Sequence, residues 1–326
     1  MASRIPAITL HNGGKMPMVG LGTYQGHDDE MRQVLNVALE CGYRHIDTAT
    51  VYRNEAEIGD VLHEWLSSGR VAREELFVVT KLPMTGNRSG DVGRFLQDSL
   101  DKLRLSYVDL YLIHSPVGMK ANSKGVLDMD TNHEEVYKAM EEQHPVVTSM
   151  AKRLGRTPAQ VLLRSDEYPI LLQHPVVTSM AKRLGRTPAQ VLLRFFDPEQ
   201  LGRHSEVHQS ETGQRELQST HCRLQIRRIP DLLQHPVVTS MAKRLGRTPA
   251  QVLLRFLIQN NLVVIPKSTN QKRVKENFNV FDFELSSEDM ASLEALDRKG
   301  DGRVIDFKSL FEGIENHPEW PFGIPY

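Results

Sequence analysis

Four apolar runs in the first 114 residues alternate with three amphipathic stretches, and this restricts the chain to a parallel sheet with helical crossovers. The runs are Val19–Thr23, Tyr43–Thr48, Phe77–Lys81 and Val108–His114. Between them, Asp28–Cys41, Asn54–Ser68 and Val92–Leu103 carry apolar residues at helical spacing. The runs are nearly continuous rather than alternating, as strands covered on both faces must be. Ahead of them, Ile8–Leu10 and Lys15–Met18 flank Asn12-Gly13, a hairpin signal.

Each later strand ends on a residue with acid–base or ionic chemistry. Asp47 ends one, Lys81 the next and His114 the third, and Tyr52 follows Asp47 at the entry to a helix. In a parallel barrel such tips gather at one end. A free phenol, with a pKa near ~10, is a poor proton donor at neutral pH. A lysine ammonium a few Å away favours the phenolate and lowers that value. Tyr52 is therefore the candidate general acid, Lys81 its tuner, Asp47 the anchor of Lys81 and His114 the group that orients a substrate oxygen. Such a set suits protonation of a carbonyl oxygen while hydride reaches the carbon. The hydride must come from a cofactor, because no side chain supplies one. Singly, a Tyr or Lys at a strand end is more often structural; four at successive tips are harder to explain so. His45 and Asp109 read as structural, and Asn54 and Glu55 as caps of the following helix.

Near the other end, Leu262–Pro266 reads as a strand. Lys267-Ser268-Thr269-Asn270 opens a helix carrying Arg273, Glu276 and Asn277. Free N–H groups at a helix start, with Lys267 and Arg273, make an anion site that suits a phosphate monoester better than a neutral ribose. That favours NADP over NAD. A solvated basic helix start is the plainer alternative for this segment alone. No strand-bound GxGxxG supports a Rossmann site.

Composition removes other classes. A net charge of −1 gives no electrostatic case for nucleic acid or an anionic membrane. No apolar run approaches the ~18 residues of a membrane span. The N-terminus has no apolar signal core, and the cytosol is the expected compartment. Cys41 and Cys222 make neither a disulfide framework nor a metal site.

Together these segments resemble the aldo-keto reductase family. The resemblance rests on Gly20-Leu21-Gly22-Thr23, Gly42 to Gly59, Thr80-Lys81-Leu82, Asp109 to His114, Ile265-Pro266-Lys267-Ser268, Arg273 to Phe278, Val280 to Leu285, and Pro321-Phe322 with Pro325-Tyr326. It covers residues 5 to 143 and 235 to 326. It implies a (β/α)8 TIM barrel, acting as a monomer, that reduces small aldehydes and ketones with NADPH. By this similarity Asp47, Tyr52, Lys81 and His114 fall on catalytic positions. Thr23, Lys267, Ser268, Arg273 and Asn277 fall on cofactor positions, and Tyr24, His114 and Trp320 line the substrate pocket. Ser115 stands where many members have Trp, which widens or reshapes that pocket.

The pattern breaks in the middle. The family's Gly-x-Ser-Asn strand end, the Gln of the next strand and a Tyr-Ser-Pro-Leu turn are absent. Instead, Gln-His-Pro-Val-Val-Thr-Ser-Met-Ala-Lys-Arg-Leu-Gly-Arg-Thr-Pro-Ala-Gln-Val-Leu-Leu-Arg occurs identically at 143–164, 173–194 and 234–255. Unequal offsets and perfect identity argue against a solenoid. Only the third copy runs into a family context, at Phe256. Coding Phe256–Leu262 as TTC TTG ATC CAG AAC AAC TTG and inserting one T after the first codon yields Phe195–Leu201. A similar shift relates Ser165–Leu171 to Gln225–Leu232. Residues 195–232 therefore read mostly as an out-of-frame copy of a duplicated coding segment, polar and aperiodic. His204, His208, His221 and Cys222 within it are not taken as a metal site.

Three domain segments follow: 1–143 with strands 1–4, an aberrant insert at 144–234, and 235–326 with strand 8 and the phosphate site. In the repeat copies, Val176–Leu184 and Pro188–Arg194 have helix spacing, with Thr187 as N-cap. The expected barrel is thus incomplete, lacking strands 5–7. Three readings remain: an active NADPH-dependent reductase, an NADP-binding protein without turnover, or an unstable product.

Overall fold

The computed structural model describes residues 5–10, 14–115, 117–121, 125–143, 232–296 and 313–317. Strands β1 (Ala7–Thr9) and β2 (Lys15–Pro17) pair antiparallel as the expected hairpin. Its Asn12-Gly13 turn lies outside the described residues.

The alternating segment folds as strand and helix in turn. Strand β3 is Leu21–Gly22, followed by helix α1 (Asp28–Cys41), β4 (His45–Asp47) and α2 (Glu55–Ser67). Then come β5 (Phe77–Leu82), α3 (Val92–Leu103) and β6 (Leu110–Ile113). The four strands form one parallel sheet in chain order, β3-β4-β5-β6. A small antiparallel pair, β7 (Gly118–Met119) and β8 (Leu127–Asp128), follows β6 and leads into α4 (His133–Glu142).

Helices α1 and α2 are formed by apolar residues recurring every third or fourth position. Met31, Val34, Leu35, Ala38 and Leu39 face inward from α1, and Ile58, Val61, Leu62 and Trp65 from α2. They join Ile46 and Val78 of the sheet in one core. Each fully buried Leu or Ile there contributes roughly 1.5–3 kcal/mol. Helix α1 stops at Gly42, whose φ of 105° lets its N–H reach the carbonyls of Ala38 and Leu39. Gly59 serves close packing: a Cβ there would stand 2.1 Å from the Lys102 carbonyl oxygen at the end of α3.

The third copy of the repeated sequence forms two helices, α5 (Pro236–Leu245) and α6 (Pro249–Gln259). Thr248 caps α6, with Pro249 in its first turn and Gln251 closing a reciprocal box. That is the cap expected of Thr187 in the second copy, which lies, with residues 144–231, outside the described residues. Helices α7 (Gln271–Phe278) and α8 (Ser287–Glu294) follow, and a 3-10 turn at Ile314–Asn316 ends the described part. None of the described helices is long and apolar enough to cross a membrane.

The expected strand at Leu262–Pro266 is reduced to two parallel bridges, Val19 with Val264 and Gly22 with Lys267. Gly20 donates to Val264 O, Val264 to Met18 O, and Gly22 to Pro266 O. Pro266 has no N–H to extend the ladder. The segment nevertheless lies along the free edge of β3. Its position sets the first strand of the sheet beside the last part of the chain, as a closing barrel requires.

Candidate active site

Asp47 ends β4, Lys81 lies one residue from the end of β5, and His114 follows β6, so parallel register delivers all three to one end of the sheet. Tyr52 is brought in by a single 3-10 turn, Thr50–Tyr52, between β4 and α2. Arg53, at φ 57°, breaks the turn from the helix.

Lys81 Nζ lies 2.6 Å from Asp47 Oδ1 and donates to the Thr48 carbonyl at 3.0 Å. Tyr52 Oη is 3.5 Å from the same Nζ. Asp47 and Lys81 are both buried. The Tyr52 and His114 rings meet edge to face, centroids 5.5 Å apart, and Tyr24 packs on the other side of Tyr52 at 5.1 Å. The three strand-tip residues and Tyr52, all predicted from the sequence, therefore form one cluster.

The electrostatics differ from the expectation in one respect. The Tyr52 phenol is pushed above its usual range, not below it, because burial penalises the phenolate by more than the Lys81 ammonium favours it. Burial alone would lower Lys81, but Asp47 and Tyr52 outweigh it and hold the ammonium above its ordinary range. His114 is pushed down to about 3, first by burial and then by Lys81, so its ring is neutral at ordinary pH. Its Nδ1 is buried without a partner among the described residues.

His114 carries no proton change between about pH 4 and 9, so kcat/KM for reduction should show no inflection near the ordinary histidine value of 6.5. Tyr52 keeps its proton throughout that range, and the rate should fall only on the alkaline side. A pH–rate profile with a limb between 6 and 7 would contradict this assignment. Stability has a matching sign. A base depressed in the fold contributes fully above its unfolded value, and that contribution is lost as pH falls from 6.5 toward 3.

The basic segment is arranged beside the cluster. Gly22 pairs with Asp47 on one side and bridges Lys267 on the other, so Lys267, Gly22 and Asp47 lie in one row across three chain segments. Asn270 caps α7 by accepting from the Arg273 N–H, and Ser268 Oγ accepts from the Asn270 N–H. Arg273 is exposed and makes no salt bridge among the described residues. Lys267 is half-buried and pushed down by burial, with Glu30 opposing. Asn277 lies farther along α7, partly exposed. Two cations and a helix start at one strand end fit a phosphate monoester. Thr23 is buried and donates its hydroxyl to the Asp47 carbonyl at 3.0 Å, so that hydroxyl is already engaged. Trp320 lies outside the described residues.

His45 and Asp109 are structural, as expected. His45 Nδ1 bonds the Pro17 carbonyl, and Asp109 accepts from Arg73 and from the Val78 N–H. The capping expectation for Asn54 and Glu55 fails. Asn54 occupies the cap position of α2 without a capping bond. Its amide instead donates to the Thr23 and Gly26 carbonyls, and its oxygen accepts from Thr48. Glu55 accepts from Thr80 Oγ1 at 2.7 Å. Nearby loop carbonyls and a strand hydroxyl compete successfully with the helix end.

The sequence matches the family model described as "Aldo/keto reductase family" at residues 18–145 and 204–298. The interval between holds most of the first repeat copy and all of the second. The second match begins inside the stretch read as out of frame. Aldo-keto reductase family 1 member A1 of Mus musculus is 35% identical, covering 98% of this chain and 99% of that protein. The Homo sapiens protein of the same name is 34% identical over 98% of each. Among solved structures, the aldose reductase from Schistosoma japonicum superposes with a TM-score of 0.67 at 30% identity, covering 98% of this chain and 99% of that one. The Bombyx mori aldo-keto reductase in complex with NADP gives 0.66 at 29% identity, covering 98% and 100%. Similarity of that extent, through the segment with the Asp–Lys pair and the segment with the basic helix alike, makes this chain a member of the aldo/keto reductase family.

Proposed function

We propose that the chain reduces a small aldehyde or ketone to its alcohol, using NADPH, with Tyr52 as general acid. The observation that carries this reading is the buried ammonium held between the Asp47 carboxylate at 2.6 Å and the Tyr52 hydroxyl at 3.5 Å. When bound, NADPH supplies the hydride. Tyr52 Oη hands its proton to the carbonyl oxygen. Lys81, kept charged by Asp47, stabilises the phenolate that is left. His114, neutral, orients the same oxygen. Lys267, Ser268, Arg273 and Asn277 would hold the 2′-phosphate and the adenine.

Tyr24 and Val51 are half-exposed beside Tyr52, which suits a hydrophobic carbonyl compound. Ser115 is buried, with a hydroxyl that has no partner among the described residues. An indole is far larger, so a serine here widens or reshapes the substrate pocket.

The test is NADPH oxidation with an aromatic aldehyde. Turnover should be saturable and favour NADPH over NADH. Arg273→Ala should raise KM for NADPH about tenfold, the cost of one charge-assisted contact, while leaving KM for NADH nearly unchanged. Equal losses with both cofactors would remove Arg273 from the phosphate site.

A second reading is NADP binding without turnover. It is favoured by the missing Gly-x-Ser-Asn, Gln and Tyr-Ser-Pro-Leu elements, since hydride transfer needs the reacting atoms held at roughly 3–3.5 Å. It goes with the proposed division at 144–234 and with a barrel lacking strands 5–7. Tight NADPH binding with no oxidation by any aldehyde would establish it.

A further inference from the structure

Glu55 opens α2 and is 2% exposed. Oε1 accepts from Thr80 Oγ1 at 2.7 Å, whereas Oε2 is buried with no partner among the described residues. Across the sheet, Thr80 pairs with Tyr111, whose hydroxyl is also buried and has no partner among the described residues. Burial, then the charges of Glu55 and of Asp98 on α3, push that phenol above its ordinary range. A carboxylate in such surroundings is a costly choice. The helix start offsets part of the cost. An apolar side chain of similar size would fill the space without that penalty.

Thr80 immediately precedes Lys81, and Glu55 lies three residues after Tyr52. On the other flank of the Tyr52 turn, Thr50 Oγ1 donates to the Lys81 carbonyl at 3.4 Å and meets Ser99 Oγ at 3.1 Å. The turn is therefore tied to Lys81 by Thr50 within it and to Thr80 by Glu55 just beyond it. Arg53, in the left-handed region, turns the chain between Tyr52 and Asn54, so the fixed start of α2 sets where the turn ends.

We infer that Glu55 is a positioning residue, which clamps the Tyr52 turn to the Lys81 strand through Thr80 and so sets the spacing of phenol and ammonium. The inference rests on the role proposed for Tyr52. A misplacement of about 1 Å in such a pair costs on the order of 10²-fold in rate.

The test compares Thr80→Val, which keeps the shape and removes the donor, with Thr80→Ser, which keeps the hydroxyl. Thr80→Val should lower kcat on the order of 10²-fold per NADPH-binding site, leave the dissociation constant of NADPH within about twofold, and move the alkaline limb of the pH–rate profile. Thr80→Ser should restore all three. Where Thr80→Val fails to fold, Glu55→Met carries the same expectation, with Glu55→Gln as its partial rescue. An unchanged kcat and alkaline limb in whichever variant folds would overturn the clamp. So would a loss that only follows the fraction of folded protein. If the unsubstituted chain itself shows no turnover, the proposed function fails. The clamp is then judged by the Tyr52 resonance in 13Cζ-tyrosine spectra, assigned with Tyr52→Phe. That resonance should shift in Thr80→Val and return in Thr80→Ser; no shift would overturn the inference.

Discussion

Tyr52→Phe is expected to lower kcat for aldehyde reduction by about 10³–10⁴-fold, near the upper end of what one general acid contributes. The substitution removes a single oxygen. The ring still packs against Tyr24 and His114, and Lys81 keeps its bonds to Asp47 and the Thr48 carbonyl. Affinity for NADPH and thermal stability should therefore change little. Stopped-flow measurement of the hydride step separates this from slow product release. A variant retaining a tenth or more of the wild-type rate in that step would mean that another group delivers the proton.

Lys81→Met should combine two losses. The nearly isosteric thioether removes the charge that stabilises the phenolate, with an expected fall in kcat on the order of 10²–10⁴-fold. It also strands the Asp47 carboxylate, whose side chain is only 12% exposed, without its counter-ion. Breaking a buried pair from one side costs about 3–5 kcal/mol. Denaturant melts should show that loss, and Asp47→Asn in the same background should recover part of it. Recovery without return of activity would separate the structural part of the pair from its electrostatic part. Full stability in Lys81→Met alone would show that the pair is not a buried one.

The parts of the fold that were legible are those where local pattern and tertiary environment agree. Helix α1 runs from Asp28 to Cys41 as its spacing predicts, because its apolar face is buried and Gly42 supplies the stop. The strand tips at Asp47, Lys81 and His114 were legible because parallel register carries them to one end. Leu262–Pro266 was half legible: its apolar run placed it beside β3, while Pro266 cut the ladder to two bridges. Two other features depend on three-dimensional balance. The direction of the Tyr52 shift is decided by how completely the ring is buried, which spacing does not encode. The ties of Asn54 and Glu55 run to Thr23, Gly26, Thr48 and Thr80, in segments distant along the chain, so a helix-start pattern suggested caps instead. In the third copy of the repeated sequence, helical spacing and packing agree: α5 and α6 bury their apolar faces with Leu285, Leu293 and Phe283.

The account depends on a protonated phenol beside a buried ammonium giving its proton to a carbonyl oxygen as hydride arrives at the carbon. The direct measurement is isotope transfer: the full chain is incubated with an aromatic aldehyde and NADPH carrying deuterium at both nicotinamide C4 positions, and the alcohol is analysed by mass spectrometry. The account predicts one deuterium on the carbinol carbon of each product molecule, with formation falling in Tyr52→Phe in parallel with the hydride step. Absence of deuterated alcohol from a chain that binds NADPH, or its undiminished formation by Tyr52→Phe, would contradict it.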